Sequence, residues 1–210
     1  MPVRICFFIL WSILFLSFTA AKADPLQVHG DLIYDEMLDV YWTKNERSTD
    51  AVTWDAAQKW INGLNSQKFG GYNDWRLPKT PDGTWGYDGG NDRKYNVTAS
   101  ELGHLYYKTL KLTSRQNATV NTAADLTKSF FENLLPTEYW FGTLSSTQLS
   151  GQQTGWVFDF GFGSQFLQTT NMSAYAIAVR SASPVPEPSS VVLFLTGVLM
   201  VSRIRSRQNR

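Results

Sequence analysis

The sequence predicts a single α+β domain, on three observations. Short runs of β-branched and aromatic residues recur towards both ends of a body of about 160 residues, residues 24–183. One strongly amphipathic segment lies between them, and the connections are long and rich in Gly, Asp and Asn. A chain of that size fits one domain able to bury a sizeable core.

Taken in order, Leu32-Ile33-Tyr34 and Val40-Tyr41-Trp42 predict two short strands separated by a polar turn at Asp35-Glu36. Thr53 then predicts a helix start, because its hydroxyl can accept from the free amides of the first turn. Trp54, Ala57, Trp60, Ile61 and Leu64 recur at helical spacing, and the pattern stops near Gly63 to Asn65. The tryptophans belong to a core more readily than to a ligand platform. In Gly70-Gly71-Tyr72-Asn73-Asp74-Trp75-Arg76-Leu77-Pro78 the glycines permit a tight turn, and Pro78 drives Leu77 towards an extended backbone.

A long loop from Lys79 to about Thr98 carries neither period. Residues 100–107 resume helical spacing through Leu102, Leu105 and Tyr106, and residues 109–127 read as a polar loop. Three strands are predicted in the last third, at 139–143, 155–160 and 175–180. In the middle one, Trp156, Phe158 and Phe160 share one face and Val157 and Asp159 the other.

Composition narrows the function classes. Between residues 24 and 183 there are about 13 basic against about 17 acidic residues, so the body is mildly acidic and has no basic stripe for nucleic acid. The lone cysteine, Cys6, precedes the body, which therefore has no disulfide, thiolate metal site or cysteine nucleophile.

Both flanks read as targeting segments. Arg4, an apolar run over residues 5–18 and Ala21-Lys22-Ala23 have the order of a cleaved secretory signal, so residues 1–23 imply the Sec translocon and signal peptidase as partners. At the other end, Pro186-Glu187-Pro188 is followed by an apolar run at 189–201 and by Arg203, Arg205, Arg207 and Arg210. That run, about 13 residues against the roughly 20 of a comfortable span, suits a transient membrane anchor with its arginines on the cytoplasmic side. Residues 184–210 resemble the PEP-CTERM sorting signal of Gram-negative bacteria. The resemblance implies recognition by an exosortase, in cells that secrete exopolysaccharide.

The body carries a second resemblance. The helix with Trp54 and Ala57, the Gly71-Tyr72-x-Asp74-Trp75-Arg76-Leu77-Pro78 block, Glu101-Leu102-x-x-Leu105, Tyr139-Trp140, Gly155-Trp156-x-x-Asp159-Phe160 and Ala178-Val179-Arg180 together resemble the Lcl C-terminal domain family. The resemblance implies a C-type-lectin-like fold with two helices, a twisted antiparallel sheet and long irregular loops.

Asp74, Trp75, Arg76, Leu77 and Pro78 are read as a structural motif. An arginine beside an acid on a turn forms an internal ion pair or binds loop carbonyls, and Trp75 and Leu77 alternate into the core. Arg180 is expected to be an anchor near the end of the body. The ligand candidates are Trp85, Tyr87, Asp88, Asn91 and Asp92, on the long loop. Aromatic rings there can stack on a sugar, and the carboxylates and carbonyls can supply some of the six to eight oxygens calcium needs, although the spacing is not that of an EF-hand. Calcium thus stands beside the simpler reading of a solvated turn-rich loop.

No catalytic residue is assigned. His29, on an expected N-terminal loop, and His104, on a helix, have no nucleophile elbow near them. Glu101 and Asp159 are the one carboxylate pair to consider, with Glu101 expected to support its helical turn and Asp159 to lie on a sheet face. The expected function is therefore that of a non-enzymatic, exported protein, first anchored in the inner membrane and then at the cell surface or in the matrix, with a lectin-like domain binding exopolysaccharide or another glycan. A protein-binding adhesin and a structural matrix component are the alternatives, with a glycan-acting enzyme behind them.

Overall fold

A computed structural model describes residues 24–47, 49–81, 93–115, 121–126 and 130–183. The signal-peptide residues 1–23, the ligand-loop candidates Trp85, Tyr87, Asp88, Asn91 and Asp92, and the tail with Pro186, Glu187, Pro188, Arg203 and Arg205 lie outside the described residues.

Among the described residues, eight strands form two antiparallel sheets. They are β1 (Leu26–His29), β2 (Leu32–Asp35), β3 (Val40–Arg47), β4 (Lys94–Tyr95), β5 (Glu138–Leu149), β6 (Gln152–Asp159), β7 (Ser164–Thr169) and β8 (Ile177–Ser181). The first sheet has the order β1-β2-β3-β8 and the second β4-β7-β6-β5. A parallel bridge between Tyr139 and Tyr175 joins them, with Trp140 N–H donating to the Tyr175 carbonyl at 2.8 Å. The predicted α+β class holds, but its sheet is divided in two.

Helix α1 (Trp54–Ser66) begins where its cap was expected: Thr53 is extended, and its hydroxyl accepts from the Ala56 amide at 3.4 Å. Helix α2 (Glu101–His104) is capped by Ser100 and runs directly into a π-helical turn, Leu105–Thr109. A single turn, α3 (Ala123–Leu126), interrupts the stretch expected to be loop.

The two main helical segments cover opposite faces of the strands. Ala57, Ile61 and Leu64 of α1 pack with Trp75, Leu77, Trp140, Val157 and Ala178. Leu102, Leu105 and Tyr106 pack with Trp42, Tyr139, Phe141, Trp156, Phe158, Phe160 and Val179 in a second cluster. Successive residues of one strand, such as Tyr139 and Trp140 or Trp156 and Val157, therefore enter different cores, as the two-residue period of a strand requires. Trp140, wholly buried, donates from its indole N–H to the Val52 carbonyl at 2.7 Å.

Several elements differ from the sequence reading. His29 ends an edge strand rather than lying in a loop; a two-residue turn, with Gly30 at φ 62°, connects β1 to β2. Strand β5 runs on to Leu149, and Ser150-Gly151, both at positive φ, turn the chain into β6. Strands β1, β4 and β7 were missed because only their backbones pair fully, and their side chains alternate weakly or not at all.

Gly103 is fixed by a close approach. A Cβ built there would lie 1.9 Å from the Val97 carbonyl oxygen, a backbone atom that cannot swing aside. Gly103→Ala should therefore lower unfolding free energy by about 3 kcal/mol, as overpacked sites do, measured by urea denaturation.

Candidate functional site

An open cleft of about 410 Å³ lies between α1, the Trp75–Thr80 segment and β5. Ile61, Trp75 and Leu77, all buried, give it an apolar floor, while Gln58, Asn62, Lys79 and Thr143 supply amide, ammonium and hydroxyl groups around it.

The segment forming its wall is held by residues distant in sequence. The Asn65 side chain accepts from Trp75 N–H at 2.7 Å and donates to the Trp75 carbonyl at 2.9 Å, mimicking a strand partner. Arg76 exchanges two backbone hydrogen bonds with Val179 of β8, at 3.0 and 2.9 Å. Gly142 N–H donates to the Pro78 carbonyl at 2.8 Å; a Cβ at Gly142 would stand 3.3 Å from Leu77 Cβ, so the small residue lets β5 come close.

Arg76 does not pair with its neighbour Asp74. Its guanidinium reaches Glu101 at the start of α2 in a bidentate pair, both contacts 2.7 Å, and the same carboxylate accepts from Lys79 N–H at 2.6 Å. Asp74 instead receives Arg180, from Nε at 2.7 Å and Nη2 at 3.2 Å. The sequence motif is thus two separate clasps, one to α2 and one to β8. Trp75 and Leu77 are buried, and the Trp75 indole donates to the Phe69 carbonyl at 2.9 Å.

The wall leads straight to the loop that holds the ligand candidates. Thr80 anchors the chain just before it: its N–H donates to Thr143 Oγ1 at 3.2 Å, that hydroxyl donates back to the Thr80 carbonyl at 2.8 Å, and Gln165 donates to Thr80 Oγ1 at 2.8 Å. The chain re-enters at Arg93, which donates to Asp159 at 2.6 Å, Ser164 at 3.0 Å and Glu138 at 3.3 Å, and lies 4.2 Å over the Phe166 ring. The chain is therefore held against the second sheet at Thr80, on the cleft wall, and again at Arg93.

Glu138 and Asp159 face each other across β5 and β6 and share Arg93. Burial, then the Asp159 charge, raise the Glu138 pKa above its ordinary 4.5, against the opposing pull of Arg93. Glu101 and Asp159, the carboxylates weighed for acid–base chemistry, are each bound to a different arginine. His104 has its pKa lowered by burial, and its Nδ1 has no hydrogen-bond partner; His29 lies edge-on to Tyr34 and Tyr41. Among the described residues, no group of three or more His, Cys, Asp and Glu side chains is placed to hold a metal ion, and no helix is long and apolar enough to cross a membrane. The calcium reading of the 82–92 loop and the membrane segment of the tail fall outside those residues.

Sequence reasoning did not find Gln58, Asn62, Thr143 or Arg93. Arg93 had a signal, as the first cation after an acidic, glycine-rich loop; the others are single polar residues on elements read for their apolar periodicity.

The described residues define an α+β domain with an open cleft between α1, the Trp75–Thr80 segment and β5. Residues 31–82 match the family model of the Lcl C-terminal domain. The match includes α1 and the Tyr72–Pro78 block, and it is compatible with an exported or surface protein. No curated protein and no solved structure matches the chain.

Two consequences follow for stability. Glu101→Ala strips acceptors from both Arg76 and the Lys79 amide and should cost about 2 kcal/mol in urea denaturation. Because the folded pKa of Glu138 is raised, its contribution is fully present below pH 4.5 and is lost as pH rises through the folded value. Melting temperature recorded from pH 4 to 7 should therefore fall less in Glu138→Gln than in the wild type.

Proposed function

We propose that this chain is an exported, non-enzymatic surface or matrix protein whose cleft and 82–92 loop together bind a glycan, with the cell's own exopolysaccharide as the natural candidate. The observation that carries this reading is the cleft: an apolar floor, a rim of amide, hydroxyl and ammonium groups, and a position at the root of a loop bearing Trp85 and Tyr87. A sugar ring offers the same two chemistries, apolar C–H faces and hydroxyls at the edge, and aromatic side chains match the first. The confinement of Glu101 and Asp159 to separate arginines supports binding without catalysis.

Export belongs to the same reading. Residues 1–23 direct the chain through the Sec translocon to signal peptidase, and the Pro186-Glu187-Pro188 tail with Arg203 and Arg205 delivers it to an exosortase after transient anchoring in the inner membrane. The combination of the ordered triplet, the short apolar run and the arginine end supports this.

The full-length protein in detergent, applied to a glycan array with calcium and again with chelator, should bind a defined set of glycans and release them unchanged. Trp85→Ala combined with Tyr87→Ala should reduce the signal at least tenfold, the equivalent of about 1.4 kcal/mol. Unchanged binding by that variant would remove the loop from the site, and turnover of a bound glycan would make the protein an enzyme.

A further inference from the structure

The Tyr72–Pro78 segment has two sides. Trp75, Arg76 and Leu77 line the cleft, whereas Tyr72 and Asp74 lie over the first sheet. There Tyr34 of β2, Tyr41 of β3 and Arg180 of β8 are cross-strand neighbours in one row. Tyr34 and Tyr41 have ring centres 5.3 Å apart, Tyr41 and Tyr72 stack at 6.3 Å with planes 20° apart, and exposed His29 extends the row beside Tyr34 and Tyr41. All three tyrosines are half-exposed. Tyr41 and Tyr72 pack against the edge of the α1 core, and a continuous aromatic row left partly open to solvent at such an edge is an informative exception to polar-out patterning.

The Arg180 guanidinium lies 3.7 Å from the Tyr72 ring centre with its side chain only 6% exposed, so it sits beneath that ring rather than in solvent. Its charge is met by Asp74, whose side chain is 52% exposed and is held by Arg180 Nε and Nη2. Nη1 is buried and has no hydrogen-bond partner, an unmet charged donor of the kind that a ligand acceptor or an ordered water completes. At the other end of the row, Asp39 is exposed and accepts from the Tyr34 hydroxyl at 3.0 Å.

We propose that Tyr34, Tyr41, Tyr72 and Asp74 form a second carbohydrate site, selective for an uncharged glycan chain. Charge decides the occupant. The accessible charges on the row are the carboxylates Asp39 and Asp74, while the one guanidinium is buried and neutralised. An anionic polymer meets repulsion there. A neutral chain presents apolar ring faces to the tyrosines and hydroxyl donors to the carboxylates, and a proline-rich peptide offers only the first of these. The site rests on the glycan reading above for its class of ligand but uses a different surface.

Calorimetric titration of the full-length protein with neutral hexasaccharides of β-1,4-glucan, β-1,3-glucan and β-1,4-mannan, and with hexagalacturonate, tests it. At least one neutral chain should bind, and hexagalacturonate should not bind on this face. Tyr72→Ala should weaken the neutral chain about tenfold and Tyr72→Phe should leave it unchanged, because the ring supplies the contact. Tyr34→Ala, at the end of the row away from Arg180, gives a second reading should Tyr72→Ala fail to melt as the wild type does. The Trp85→Ala and Tyr87→Ala double variant should keep the Tyr72-dependent component. Loss confined to that double variant would overturn this second site while leaving the cleft reading intact. Neutral chains that all fail to bind, or that bind folded Tyr72→Ala and Tyr34→Ala as tightly as the wild type, would overturn it as well, as would a peptide of residues 183–190 seated on Tyr72 in their stead.

Discussion

Two cores packed on opposite faces of the same strands impose the constraint from which the rest of the structure follows. With α1 on one side and α2 and its π-helical turn on the other, Tyr139–Phe141 of β5, Thr154–Asp159 of β6 and Ile177–Arg180 of β8 have no solvent face. Buried polar groups there are tied to backbone or to charged partners, as the Trp140 indole is to Val52 and Arg180 is to Asp74. What remains for function is the margin of the strands: the cleft where α1 stops covering β5, the root of the 82–92 loop, and the part of the first sheet that carries Tyr34 and Tyr41. The positions open to a ligand are set by where the helices end.

Three arginines turn those margins into defined surfaces. Arg76, Arg93 and Arg180 each join carboxylates far away in sequence, and each also lies against the backbone or an aromatic ring. Planar guanidinium suits this role because one group makes directional bonds at its edge and stacks through its face. The half-buried pairs hold irregular segments where regular hydrogen bonding is absent; Arg76 with Glu101 fixes the turn before the loop, and Arg93 with Asp159 fixes the point where the loop returns. Interior packing gives the domain its stability, whereas these clasps give its edges a shape.

Much of this was legible in the sequence, for physical reasons that differ by element. Thr53 and the spacing of Ala57, Ile61 and Leu64 announced α1, because a cap and one apolar stripe are local facts. Trp156, Phe158 and Phe160 announced β6 by alternation. The edge strands β1 and β7 did not show, since backbone pairing leaves little trace in side chains, although Gly30-Asp31 and Ser150-Gly151 were hairpin signals in plain view. Asp74 and Arg76 read as a motif because only Trp75 separates them in sequence. Their real partners, Arg180 and Glu101, lie 106 and 25 residues away, and no local pattern encodes such distances. The cleft was hidden for the same reason: Gln58, Asn62 and Thr143 become a set only when α1 and β5 meet.

The position of β8 carries a further consequence. It is the last strand in the described body, yet it pairs with β3 and lies against Arg76, so the first sheet and the wall of the cleft both wait for it. A chain made from its N-terminus exposes β1, β2 and β3 with an open edge until Val179 arrives, and pairings of such wide sequence separation form slowly. The first sheet is therefore completed only after nearly all of the body has been synthesised. Any truncation before β8 leaves β3 with an unpaired strand edge prone to aggregate.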